Sequence, residues 1–303
     1  MAFAQGSRSR LSLVVESSFG ATPSSPSMLT LPFTSQTLDL TKQTLEGNDI
    51  LPDRIPRILR HGNRNAVGDI TVDLRANVYD ELLESLFFSS LASGAGSMSI
   101  GTTPQFLTIE DAALDITQFR QFTGMAVSQA RFAMSPNNMV ETVFSMVGKD
   151  MEVASSTLGT PAAAEDEEPF DSYSGSIQEG GSPIATVTGF DFTIQNSLNP
   201  TFVIGADTTP QLEFGRAVVQ GQITSYFENA TLLNKFLNET ESSLQLVMDD
   251  GVSGRTYTWD FPNIKYTGAS VPVQNPQSRV ITLPFTALYD ANETTNLKLT
   301  KSG

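Results

Sequence analysis

Chemistry needs side chains that can pass protons, attack carbon or hold metals, and this chain arranges few of them usefully. It has no cysteine and one histidine, His61. Disulfides, thiolate metal sites and any site built on two imidazoles are therefore excluded. His61 lies in the basic stretch LPDRIPRILRHGNRN, far in sequence from any Gly-x-Ser-x-Gly elbow, which removes a Ser-His-Asp set. Acids outnumber bases, 33 against 18, but the adjacent Asp249 and Asp250 read as a turn rather than a glycosidase pair. The run Glu165 to Glu168 lacks the spaced oxygens and central glycine of a calcium loop. No glycine loop followed by lysine is present to cradle phosphate. The expectation is a protein that is not an enzyme and needs no cofactor.

Two charge patterns remain. Arg54, Arg57, Arg60 and Arg64 are four of the twelve arginines, gathered in one loop of a chain whose net charge is −15. Read functionally, that loop is a contact arm for an acidic neighbouring surface; read blandly, it is solvated. The second pattern is a set of acids on the polar faces of alternating segments: Asp39, Asp69, Asp73, Glu141 and Asp191. An antiparallel sheet with one wet side gives such a pattern by itself. The overall charge argues against ordinary DNA binding, which needs cationic patches to displace counterions.

The elements that carry these residues are mostly short and alternating, and hydrophobic residues are 39% against 17% charged. This composition favours β structure. Ile70, Val72 and Leu74 alternate with Asp69, Thr71 and Asp73, the period of a half-buried strand. Asn77 then reads as an N-cap, with Asp80 and Glu81 in the first turn. Val78, Leu82, Leu83, Leu86 and Phe87 form one apolar helical face. Residues 185–195 alternate likewise around Phe190, Phe192 and Ile194.

The stretch from Arg64 to Phe87 recurs in divergent form from Gly215 to Leu237. Gly68 and Gly221 each lead into an Ile-Thr strand and then an Asn-preceded helix, at Asn77 and Asn229. In the second copy the acids Asp69 and Asp73 give way to Gln222 and to Ser225 or its neighbours. Such a repeat implies a duplicated domain. Residues 97–110 and 244–261 each read as a β-hairpin. Residues 122–147 and 266–288 read as strand pairs, each begun by Thr-Gly, at Thr123 and at Thr267.

The expected organisation is a first domain over 1–153, with a polar N-terminal arm and a long basic loop over 43–66. A solvated acidic linker follows over 154–181, and a second domain over 182–303. No apolar run is as long as a membrane span, and the first residues lack a secretory signal, so the expectation is a protein used without crossing a membrane.

The order FGATP, LPFTSQTLDLTKQTLEG, RHGNRNAVGDITVDL with YDELLESL, and FTGMAVSQARFAMSPNNMVETVFSMVGKDM resembles the tail tube proteins of long-tailed bacteriophages. The likeness is close over residues 10–151 and looser in the second copy. The resemblance implies two tandem β-sandwich tube domains, each with a flanking α-helix, pairing edge to edge into a continuous β-barrel ring. Two domains per chain imply a trimeric ring of pseudo-sixfold symmetry. With four inner strands per domain, the ring has about 24 strands and a backbone diameter of about 48 Å. Rings stacked into a tube would let the double-stranded genome pass. The five acids are then candidates to line an arginine-free lumen, and Arg54 to Arg64 candidates for contacts between subunits or rings. The implied partners are other copies of the chain, a tape-measure protein and tail-tip or terminator proteins, in a virion tail assembled in the host cytoplasm. The alternative from another class is a soluble β-sandwich binding module, such as a capsid decoration protein or a glycan-binding adhesin. For the latter, Trp259 is the only tryptophan and sits in an alternating strand.

Overall fold

Alternation of apolar and polar residues drives most of the chain into strands, because successive side chains of a strand point to opposite faces. Thr142, Phe144 and Met146 turn inward while Glu141, Val143 and Ser145 turn outward. Ile281, Leu283 and Phe285 do the same further on. The computed structural model describes residues 3–53, 55–91, 95–251, 255–273 and 276–302.

The first half runs through β1 (Ser9–Val15), β2 (Ser27–Leu31), β3 (Ser35–Gln36), β4 (Asp39–Glu46), β5 (Leu59–Asp73), helix α1 (Asp80–Phe87), β6 (Gly96–Ser99), β7 (Leu107–Ala113), β8 (Gln118–Met134), β9 (Glu141–Gly148) and β10 (Asp150–Ala154). The rest comprises β11 (Thr160–Pro161), β12 (Ser176–Glu179), β13 (Ser182–Pro183), β14 (Val187–Gln195), β15 (Asn199–Pro200), β16 (Leu212–Glu213), β17 (Val218–Tyr226), helix α2 (Thr231–Leu237), β18 (Ser242–Asp249), β19 (Thr256–Tyr266), β20 (Val280–Ala287) and β21 (Lys298–Ser302).

The strands form two layers. One layer is a continuous antiparallel sheet in the order β4, β5, β9, β8, β14, β17, β20. The other consists of β2, β1, β7, β8 and β10 in the first half and of β13, β12, β18, β19 and β21 in the second. The long strands β8 and β19 serve both layers. The first portion of each pairs in the outer layer and its end pairs in the inner one.

The inner sheet does not close on itself. Among the described residues, β4 pairs only with β5. At the other end β20 is flanked by β19 and by an irregular stretch, 267–273, which holds it through Thr267 and Ser270.

Apolar residues between the layers form one core that runs from Leu11 to Leu299. At its centre Phe132 of β8 stacks on Phe192 of β14 with ring centroids 4.7 Å apart. Trp259 of β19 lies 4.7 Å from Phe132 and 5.0 Å from Phe192. Each such ring, fully buried, contributes about 2–3 kcal/mol by area alone. Trp259 is thus a core residue, with no face free to stack on a sugar.

Two glycines at matching positions mark close approaches of backbone to backbone in the inner strands. A Cβ on Gly68, whose φ is +151°, would lie 2.5 Å from the Thr37 carbonyl oxygen. A Cβ on Gly221 would lie 2.6 Å from the Asp191 carbonyl oxygen. The sequence repeat around these glycines therefore has a steric cause.

Several expectations are corrected. The N-terminal arm is not a loose extension: β1 and β2 lie in the outer layer, with Leu11, Leu13, Met28 and Leu31 buried. Residues 97–110 are not a hairpin, since β6 pairs with β21 of the other half while β7 pairs with β1 and β8. Asn77 does not cap α1. It sits at φ +67°, and its N–H donates to the Tyr257 hydroxyl.

The connector also packs more than its composition suggests. Phe170 is fully buried against Tyr257, donates its N–H to Leu74 O and accepts from Val140 N. The two Thr-Gly pairs are not equivalent either: β7 sets Ile109 opposite Phe122, and β18 sets Leu244 opposite Phe261. Residues 244–261 do form a hairpin, whose turn at 252–254 lies outside the described residues.

Candidate functional site

Strand register decides which side chains share a surface, and the inner sheet fixes it across both halves. Asp73 stands opposite Glu141, Glu141 opposite Ala133, Ala133 opposite Asp191, and Asp191 opposite Gln222. A second row runs Thr71, Val143, Arg131, Thr193, Gln220, Thr286 and Lys265. A third runs Asp69, Ser145, Gln129, Gln195 and Val218. Asp39 joins the same face opposite Val67. The opposite face carries Ile70, Phe144, Phe132, Phe192 and Ile223, all buried. All five acids singled out in the sequence therefore lie on one polar surface that crosses from the first half to the second.

That surface is not free of cations. Arg131 is exposed in the middle row, and Lys265 ends it. The expectation of an arginine-free face is corrected at this position. Burial raises the pKa of Asp191, and the charge of Arg131 works in the other direction. Side chains on this face other than these are mostly hydroxyls, amides and carboxylates. The second-half equivalents of Asp69 and Asp73 are Gln222 and Tyr226, not Ser225, which is buried on the core side.

The basic cluster does not form one surface. Arg54 lies outside the described residues. Arg57 pairs with Asp53, and Arg60 sits on β5 opposite Leu45. Arg64 is engaged inside the chain: its guanidinium donates to Asp150 at 2.9 Å and lies 3.6 Å from Asp207. It ties β5 to β10 and to the loop before β16. The long basic loop is also shorter than its sequence suggests, because 43–46 and 59–66 belong to the β4–β5 hairpin. What the basic residues hide in sequence is an apolar tip, with Ile50 100%, Ile55 64% and Leu59 61% exposed.

Among the described residues no catalytic set is assembled around the single histidine. His61 sits on β5 opposite Thr44. Among the described residues there is no group of three or more side chains placed to hold a metal. A cleft of about 410 Å³ between β8, the connector and β14 is lined by Met134, Ile177, Val187, Phe190 and other residues, none of them titratable. Among the described residues no helix is long and apolar enough to cross a membrane.

The other notable surfaces are apolar and were not found in the sequence. On α2, Leu237 is 63% exposed, and on β10, Val153 is 62% exposed. The free edge of β4 and the stretch 267–273 complete the set. Asymmetry between the two helices was the missed signal, since both carry the same Leu-Leu spacing.

A search of characterised proteins returns no match to this chain. The family model described as phage tail tube protein matches residues 6–287. With a mainly β fold and a match over nearly its whole length, the chain belongs to the phage tail tube protein family, the structural subunits of the viral tail tube.

Proposed function

We propose that three copies of this chain close a ring of pseudo-sixfold symmetry, and that rings stack into a conduit for double-stranded DNA. The observation that carries this reading is the inner sheet: it crosses without a break from β8 to β14, keeps one polar, acid-bearing face, and ends in the open edge of β4 on one side and the irregular stretch 267–273 on the other. Sheet edges left unpaired are templates for another chain.

The two halves, 1–153 and 182–303 joined by 154–181, act as a duplicated pair of tube domains. Support comes from the matching pairings β4–β5 with β14–β17, β5–β9 with β17–β20, and β7–β8 with β18–β19. Four inner strands from each half of three chains give a barrel of about 24 strands. Its polar face then lines the lumen with Asp39, Asp69, Asp73, Glu141 and Asp191. A carboxylate- and hydroxyl-rich wall repels the phosphate backbone and lets the polyanion slide, with Arg131 as a local exception. Exposed Arg57 and Arg60, with Arg54 between them and the β4 strand in sequence and with the apolar hairpin tip, serve contacts between subunits or rings. A tape-measure protein inside and terminator proteins at the ends complete the tail of the virion, which assembles in the host cytoplasm.

Negative-stain microscopy of the purified protein, concentrated, tests this reading. Hollow tubes or stacked rings support it. Monodisperse monomers at every concentration and ionic strength would overturn it.

A further inference from the structure

Inside the chain, one half docks on the other through a junction with two parts. The first is a strand ladder: Thr193 of β14 stands opposite Arg131 of β8, and Ile194 opposite Ala130. The second is helix α1, which fills the wedge beside that ladder. Phe87 packs on Trp259 with centroids 6.1 Å apart, and Asp80 accepts hydrogen bonds from the Tyr257 hydroxyl and the Lys301 ammonium.

Each part has an equivalent, open toward solvent, at the two margins of the inner sheet. Matching registers make Leu40 the equivalent of Ile194, since Leu40 faces Ala66 as Ile194 faces Val219. They make Ser270 the equivalent of Arg131, since Ser270 pairs with Thr282 as Arg131 pairs with Val143. On α2, Leu237 takes the place of Phe87. On the first outer sheet, Arg120 and its neighbour Val153 take the places of Trp259 and Leu299. Leu299 and Phe87 are fully buried, whereas Val153 and Leu237 are each more than three-fifths exposed.

We infer that the interface between copies repeats the internal junction residue for residue. Resting on the tube reading above, it places Asp39 of one copy opposite Ser270 of the next, and seats α2 of that next copy in the wedge beside Val153 and Arg120. The partner is a second copy of this chain, because only such a copy carries both halves of a junction already present in the molecule. The hydrogen bonds agree with the register. Ser270 spends both its N–H and its C=O on Thr282, at 3.0 and 2.9 Å. It is thus left as a non-hydrogen-bonded position toward the neighbour. Two residues before Asp39, Thr37 donates its N–H to Asp69 O, which turns the polar groups of that strand parity toward β5. Asp39 and Ser270 then form a non-hydrogen-bonded pair with Cα atoms about 4.5 Å apart, within disulfide range. Pro272, two residues on from Ser270, lacks an N–H only on the side of β20, so it costs the neighbour no bond.

The chain has no cysteine, so a designed cross-link is unambiguous. The full chain carrying Asp39→Cys and Ser270→Cys is assembled, oxidised mildly and run on a non-reducing gel beside the shifted pair Asp39→Cys and Ala269→Cys. Covalent trimers from the first pair, with at least a tenfold lower yield from the second, are expected. Tubes by microscopy with no preference for the first pair would overturn the register and leave the tube reading standing. Absence of any assembly in the parent protein would overturn both. A second variant reads the helix seat: Leu237→Asp should leave the monomer's unfolding midpoint unchanged and reduce assembly at least tenfold. Normal assembly of that variant would overturn the seating of α2.

Discussion

Helices α1 and α2 follow equivalent strands with the same Leu-Leu spacing, yet five residues of α1 are buried and none of α2. Intrinsic helix preference cannot explain this, because both are short and rich in good helix formers. The difference lies in what stands opposite. Beside α1 is the second outer sheet with Tyr257, Trp259 and Lys301; among the described residues no further sheet stands in the corresponding place beside α2. A helix of this length takes its stability from packing, so burial here reports on neighbours rather than on sequence.

The largest expected effect separates the two helices directly. Phe87→Ala should cost the monomer about 3–5 kcal/mol in denaturant unfolding, while Leu237→Ala should stay within about 0.5 kcal/mol. Equal losses would mean that α2 already has a partner within the chain. Next comes the ion pair that α1 makes across the junction, Asp80 with Lys301. Asp80→Ala leaves the Lys301 ammonium, 3% exposed, without its carboxylate. A loss of about 2–3 kcal/mol should follow, and Asp80→Leu combined with Lys301→Met should recover most of it. A double variant as unstable as Asp80→Ala would show that shape, not charge, holds the junction.

A smaller effect is expected at Arg64, whose side chain is 31% exposed. Arg64→Ala should cost about 0.5–1 kcal/mol, whereas Arg57→Ala, in an exposed pair, should leave thermal unfolding unmoved. A reversed order would return Arg64 to the free contact surface.

The smallest effect concerns pH and contrasts two glutamates at the ends of matching strands. Glu179 at the end of β12 is met by Lys235 at 2.6 and 2.7 Å. Glu16, just past β1, accepts among the described residues from Thr108 Oγ1, Gly124 N and Gly20 N, at 2.7, 2.7 and 2.6 Å. Burial raises the pKa of Glu16 against these bonds and the charge of Lys149. A raised folded-state pKa means the fold binds a proton more tightly than the unfolded chain. Stability from this group is thus present at acid pH and is lost as pH rises through the raised value. Glu16→Gln should flatten that part of the stability profile. An unchanged slope would remove Glu16 as its source.

What could be read in the sequence was what strand and helix periods report. The grouping of Asp69, Asp73, Glu141 and Asp191 on one face follows from alternation alone, as does the apolar side of α1. Pairing over long separations was not legible. Nothing near Gly96–Ser99 announces that it joins β21 two hundred residues later, and a plausible local hairpin stood in its place. Phe170 was hidden by its acidic, Pro-bearing surroundings, although one aromatic suffices to anchor a connector. Asn77 misled because asparagine both caps helices and tolerates the left-handed region that it occupies here. Arg64 was grouped with its neighbours by charge, and only its strand position reveals that it turns inward toward Asp150.

The unbroken core also has a mechanical consequence. Within a chain the two halves are tied by peptide bonds, a continuous ladder and rings interlocked around Trp259. Between chains, the proposed contacts are edge pairing and a seated helix alone. In the three-chain ring proposed above, stiff and compliant seams would therefore alternate, three of each. Under outward load, such a ring would open first at its three seams between chains.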